Sequence, residues 1–212
     1  MRSKKIGVSD VVSPANASSV NSPPEDSKAA PFDSITARLS AYMQGRAYSS
    51  EIATTFNFIL FDEFSKAGLK PIFVGEYFVD PAAPEQTRVF CHQGTEACSP
   101  IPIRRGVIGR AVSTGEDQYV PDVTKDKSHV GCDPNMQGSE LVLISWSEPY
   151  SAGAHNGCRV PLAVLDIDLT TKEAFTQGKI ADLRKIWDEY GKKIFPGVAQ
   201  FEPKGGLFVK KK

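Results

Sequence analysis

The run Val164-Leu165-Asp166-Ile167-Asp168 sets two aspartates in strict alternation with apolar residues. A period of two marks a β-strand whose two faces differ. Leu165 and Ile167 then face a core, while Asp166 and Asp168 share the opposite face. Two carboxylates on one strand face repel each other, so the pattern persists only where they are solvated or meet a cation. The strand is read over 159–168. It is preceded by an apolar strand, Leu141 to Trp146, through a turn containing Gly153 and Gly157. Upstream, the aromatic and β-branched run from Ile72 to Val79 reads as another strand, closed by Asp80-Pro81-Ala82-Ala83-Pro84, with a hairpin return from Thr87 to Phe90.

Helical periodicity surrounds these strands. Asp33 or Ser34 caps a short helix through Tyr42, and Ser49-Ser50-Glu51 opens a longer one with Ile52, Phe56, Ile59, Leu60 and Phe64 as its apolar set and Gly68 as its C-cap. Between Gly106 and Gly115, Val107, Ile108, Ala111 and Val112 repeat at the spacing of a short buried helix. Thr176 caps a last helix through Lys192 that packs with Ile180, Leu183, Ile186, Trp187 and Tyr190, and Pro196 stops it. The order predicts a single α+β domain over residues 33–197, an antiparallel sheet with helices mainly on one side. Residues 1–32, rich in Ser, Pro, Ala and Asn, read as a disordered tail, and 198–212 as a solvated basic one.

Charge narrows the function. Lys plus Arg and Asp plus Glu number 25 each, so no net field draws the chain to nucleic acid or an anionic membrane. Its apolar stretches, Thr55 to Phe61 and Glu140 to Trp146, are far shorter than the roughly 20 residues that span a bilayer. The first residues lack the apolar core of a secretory signal, which predicts a reducing, cytoplasmic setting. There Cys91, Cys98, Cys132 and Cys158 read as thiols. No pair has CxxC spacing and the three histidines are scattered, so neither a structural metal nor a cofactor is expected. Cys132 lies among polar and flexible residues, His129-Val130-Gly131-Cys132-Asp133-Pro134-Asn135, which predicts an exposed thiol, and Glu140, Asp166 and Asp168 gather at strand mouths.

Several segments together carry a family likeness. Ala97-Cys98-Ser99-Pro100-Ile101-Pro102, Arg105-Gly106-Val107-Ile108-Gly109-Arg110-Ala111-Val112, His129-Val130-Gly131-Cys132-Asp133, Ser139-Glu140 and Val164-Leu165-Asp166-Ile167-Asp168, in that order, resemble the free methionine-(R)-sulfoxide reductases, which are GAF-domain proteins. The likeness covers residues 35 to 195. It implies a GAF domain that reduces the free amino acid with a cysteine thiolate, through a sulfenic acid that a second cysteine captures as a disulfide, with thioredoxin as the reductant. By the same resemblance Cys132 is the nucleophile, Cys98 resolves, and Glu140 binds substrate and hands a proton to the oxide. Asp166 and Asp168 hold the ammonium by charge-assisted hydrogen bonds, and Tyr77 supplies a pocket aromatic.

Three positions depart from the family. Ile108 stands where the family usually has a third cysteine, Phe73 where an aromatic-strand tryptophan is expected, and the loop holding Met136 to Gly138 is one residue longer. Cys91 is a partial substitute for the missing thiol; its plainer reading, with that of Cys158, is an inert one. A homodimer is left open. The other function class is a GAF module that binds an amino-acid-like ligand as a sensor without efficient turnover, which Ile108 favours and the Cys98 and Cys132 pair opposes.

Overall fold

The computed structural model describes residues 30–43, 49–80, 82–149, 157–195 and 209–210. The expected disordered tail lies outside these residues up to 29. Helix α1 (Ala30–Tyr42) starts ahead of the expected cap, and Phe32 within it is buried in the core. The other helices follow the sequence reading closely: α2 spans Ser49–Lys66, α3 Gly106–Thr114 and α4 Gln177–Ile194. Thr176 caps α4 by accepting from the Lys179 backbone N–H, and Gly115 ends α3 in the left-handed conformation that glycine adopts without strain.

The central sheet is antiparallel, built from β1 (Pro71–Val79), β2 (Gln86–Gly94), β3 (Ile101–Pro102), β4 (Gln118–Val120), β5 (Ser139–Trp146) and β7 (Pro161–Leu169), in the order β3-β2-β1-β7-β5-β4. The run read as one strand over 159–168 is two elements. Its first residue, Arg159, belongs with Cys158 to β6 (Cys158–Arg159), which pairs with β8 (Val209–Lys210) as a separate ribbon. Thus part of the segment expected as a tail is a strand; the rest of 198–212 lies outside the described residues.

The sheet has two different faces, as alternation demands. Val74, Leu141, Leu143, Leu165, Ile167 and Leu169 point to one side, into a core shared with α1, α2 and α4, where Phe56 packs between Trp187 and Tyr190 at ring separations of 5.8 and 6.0 Å. Fully burying a side chain of that size stabilises by about 1.5–3 kcal/mol, and truncating Phe56 to alanine removes about 3–5 kcal/mol once the cavity is included. Phe73, Tyr77, Val142, Ile144 and Val164 point to the other side and are covered by α3 through Val107, Ile108, Ala111 and Val112. The helices are therefore on both faces but mainly on one. The face carrying Asp166 is not a solvated surface: that aspartate is 3% exposed.

One polar pair sits inside the helical side. Glu76 on β1 is fully buried and accepts a hydrogen bond of 2.8 Å from Asn57 Nδ2 on α2, and its Oε1 has no partner. Burial pushes its carboxyl up to about 8, against the opposing hydrogen bond from Asn57. Among the described residues no helix is long and apolar enough to cross a membrane.

Candidate active site

Strand register assembles the acidic residues. Asp168 on β7 lies opposite Glu140 on β5 and Phe73 on β1, and Asp166 lies opposite Val142 and Gly75. Because side chains alternate, Glu140, Asp166, Asp168, Phe73 and Tyr77 all emerge on the α3 side of the sheet and line one pocket. Gly75, between the two aromatics, has no room for a side chain: a Cβ would lie 2.6 Å from His92 Cβ and 2.8 Å from the Phe73 ring. Phe73 itself is stacked on His92 at 5.3 Å and sits 6.1 Å from Tyr77. The smaller ring at the position expected to be tryptophan is thus backed by a histidine from β2.

Glu140, Asp166 and Asp168 offer oxygens all within 4.8 Å of one another. Burial drives the Asp166 carboxyl well above the usual range, and Asp168 and Glu140 beside it add to the effect. Asp168 is raised well above the usual range in the same way, by burial first and then by Glu140 and Asp133. Glu140 is raised by burial and restrained by His129, whose Nδ1 lies 3.0 Å from its Oε2. Asp166 Oδ1 and Asp168 Oδ1 are buried without partners. Such a trio is held ready for a cation, and an organic ammonium with several N–H groups matches oxygens that lack donors. Tyr77 keeps its hydroxyl proton far into alkaline pH, because burial and the three carboxylates all oppose a phenolate.

The pocket's other wall comes from loops and from α3. Arg105, Gly106, Val107 and Ile108 line it, so the first turn of α3 borders the pocket, with no side chain capping its N–H groups. Gly106 has φ 67°, and a side chain there would press on Val130. Gly138, just ahead of β5, packs so closely on the Leu169 carbonyl that no Cβ fits, which holds the start of β5 against the end of β7. Met136, in the loop ahead of β5, is 7% exposed and turns into the pocket.

Cys132 sits in the exposed loop, as expected, and is disulfide-bonded to Cys98 with the Cα atoms 5.5 Å apart. Cys132 lines the pocket, as does Ala97 next to Cys98. Every candidate named from the sequence, Cys98, Cys132, Glu140, Asp166, Asp168, Tyr77 and Phe73, is therefore gathered at one place. Cys91 is not: its Sγ lies 3.4 Å from Thr54 Oγ1 on α2, packed against the helical core on the other side of the sheet. Cys158 is free in the β6–β8 ribbon. Ile108 is buried and lines the pocket. The residue that sequence reasoning left without a role is His129. Its signal was its position within the motif that contains Cys132.

No family model matches the chain. Over 100 residues, 47% of the chain, it is 34% identical to the free methionine-R-sulfoxide reductase of Saccharomyces cerevisiae, covering 50% of that protein. The chain thus spans about half the length of the curated relatives it matches. Among solved structures, a GAF domain superposes with TM-score 0.67 at 23% identity, over 78% of this chain and 88% of the other. The free methionine-R-sulfoxide reductase of Neisseria meningitidis, solved in complex with its substrate, superposes with TM-score 0.63 at 22% identity, over 82% of this chain and 95% of the other. The fold is that of a GAF domain, and the resemblance read from the motifs is found again in relatives that carry that name.

Proposed function

We propose that the chain reduces free methionine-(R)-sulfoxide to methionine, with Cys132 as nucleophile and Cys98 as resolving thiol. The observation that carries this reading is a disulfide between Cys98 and Cys132 at the rim of a pocket whose floor is three carboxylates. A ligand-binding module uses the carboxylates but has no need of two cysteines within bonding reach across that pocket.

The amino-acid end of the substrate explains the floor. Its ammonium goes to Asp166 and Asp168, whose buried oxygens lack donors, and its carboxylate to the uncapped first turn of α3, where N–H groups and the helix dipole favour an anion. A peptide-bound residue carries neither charge, so the same two features select the free amino acid. Phe73 and Tyr77 flank the methyl sulfoxide, and the Tyr77 hydroxyl stays available as a donor.

In the reduced protein, the Cys132 thiolate attacks the sulfoxide sulfur. The attack joins the two sulfurs. Glu140 protonates the oxygen, which passes from the methionine sulfur to the Cys132 sulfur, and as the S–O bond and the new S–S bond break the electron pair stays on methionine, which leaves Cys132 as a sulfenic acid. The Cys98 thiol then attacks the Cys132 sulfur and expels water, which gives the disulfide. A dithiol protein of the thioredoxin type returns both cysteines to thiols, in a cytoplasmic setting, and the working unit is the single chain or a homodimer. Relatives named for this activity and a substrate-bound neighbour support the reading.

Ile108 favours a second reading. A hydrocarbon in place of a thiol suits a module that binds an amino-acid-like ligand as a sensor. The two are separated by turnover of free methionine-(R)-sulfoxide with dithiothreitol, measured as methionine release, for the wild type and for Cys132→Ser. Release by the wild type and none by the variant supports the reductase. Release by neither, with ligand binding retained in calorimetry, supports the sensor, and Ile108→Cys then tests whether the lost thiol is the cause.

A further inference from the structure

Glu140 does not stand alone in the pocket. His129 Nδ1 is 3.0 Å from Glu140 Oε2, with the two side chains 14% and 6% exposed. The ring's other nitrogen, Nε2, is buried and has no partner. It lies 3.6 Å from where a Cβ on Gly131 would stand, directly under the loop that carries Cys132. A histidine kept only for stability normally satisfies both ring nitrogens; this one has a single bond, and that bond goes to the proposed acid.

The surrounding structure holds the ring there. Arg110 on α3 bonds Ser128 Oγ at 2.6 Å and Asp126 Oδ2 at 2.8 Å, and the His129 backbone N–H donates to the Asp126 carbonyl. Arg110 also takes Gln118 Oε1 at 3.0 Å, which ties the same turn to β4. Arg110 and Asp126 act on Glu140 from one side, Asp166 and Asp168 lie beside it on the floor, with Asp133 acting on Asp168, and Arg105 and Glu96 line the same pocket.

Building on the reductase reading, we propose that His129 is a positioning residue for Glu140: through the Nδ1–Oε2 bond it aims the carboxyl at the departing oxide. The same bond opposes the upward push that burial exerts on this carboxyl. Buried beside two further carboxylates, a carboxyl without this partner clings to its proton and transfers it poorly. The step it serves is balanced. The thiolate, the sulfoxide and one proton from Glu140 give methionine and the Cys132 sulfenic acid, and Glu140 regains a proton from solvent before the next turnover. His129 bonds Glu140 and neither Asp166 nor Asp168, the residues proposed to take the ammonium, so its effect falls mainly on the chemical step and less on substrate capture.

The test uses reduced full-length protein, mixed with free methionine-(R)-sulfoxide in single turnover across pH. Wild type is compared with His129→Phe and His129→Gln, the latter keeping a side-chain N–H donor. The expected result for His129→Phe is a maximal rate lowered at least tenfold, a substrate half-saturation within about threefold of wild type, and an alkaline limb displaced to higher pH; His129→Gln recovers part of the rate. The titration midpoint of the Glu140 carboxyl, followed by carbon-13 NMR in the same proteins, rises in His129→Phe. An unchanged midpoint and an unmoved alkaline limb overturn the proposal, even if the rate has fallen, since a merely structural role lowers rate or folding without moving either. Wild type failing to turn over sinks the reductase reading instead, and the NMR midpoint still decides whether His129 sets the acidity of Glu140.

Discussion

Replacing Glu76 by glutamine is expected to leave stability nearly unchanged near pH 5 and to raise it substantially above pH 7. Glu76 is fully buried, its carboxyl is pushed up to about 8 from an ordinary value of 4.5, and its side-chain partner among the described residues is Asn57 at 2.8 Å. The folded state therefore keeps this proton over a window in which the unfolded chain has lost it. The folded form binds more protons than the unfolded form there, so stability falls as pH rises from about 4.5 to about 8 and is level outside that window. Each pH unit within it costs about 1.4 kcal/mol, so wild type loses about 3 kcal/mol between pH 5 and pH 7.5 through this residue. Glutamine accepts the same bond from Asn57 with its amide oxygen and carries no titrating proton, so Glu76→Gln loses nothing through this site. Other carboxyls, Glu140, Asp166 and Asp168 among them, titrate alike in both proteins and cancel in the difference. The assay is urea unfolding of both proteins at half-unit steps from pH 5 to pH 8, with melting as a second readout. The advantage of the variant should grow by about 3 kcal/mol over the range, which is roughly 6–12 °C in Tm for a chain of this size. A difference that stays flat with pH refutes the argument, because it means that Glu76 is charged or hydrated in the folded protein.

The remaining expectations concern the pocket. Asp166→Asn or Asp168→Asn removes one of three crowded carboxylates, so Tm should rise at neutral pH while the half-saturating concentration of free methionine-(R)-sulfoxide increases at least roughly tenfold, as loss of a charge-assisted contact predicts. Gly138→Ala forces a Cβ against the Leu169 carbonyl; denaturant unfolding should show a loss of about 3 kcal/mol or more, with a shifted β5 that also weakens ligand binding.

Much of this could be read in the chain. The alternation at Val164 to Asp168 placed Asp166 and Asp168 on one strand face, and they share it in the structure, because a strand's period does not depend on its neighbours. Glycines at both ends bounded α3, for local steric reasons. The strands β3 and β4 were not legible, since two or three residues carry no period and are strands only through their partners β2 and β5. The burial of Glu76 was hidden for a similar reason: it sits in an aromatic run that was read as a strand, but only the packing of α2 shows that Asn57 meets it. His129 and Glu140 are separated by a loop whose path depends on the Arg110 clamp, so no spacing rule connects them. The placement of Cys98 beside Cys132 came from resemblance alone, and the structure joins them.

The central claim is tested most directly by mixing one equivalent of free methionine-(R)-sulfoxide with the fully reduced protein, without any reductant, and mapping the thiols by mass spectrometry. The account predicts one equivalent of methionine and a new disulfide joining Cys98 to Cys132, with Cys91 and Cys158 still free thiols. Full retention of all four thiols, with the sulfoxide unchanged, contradicts it.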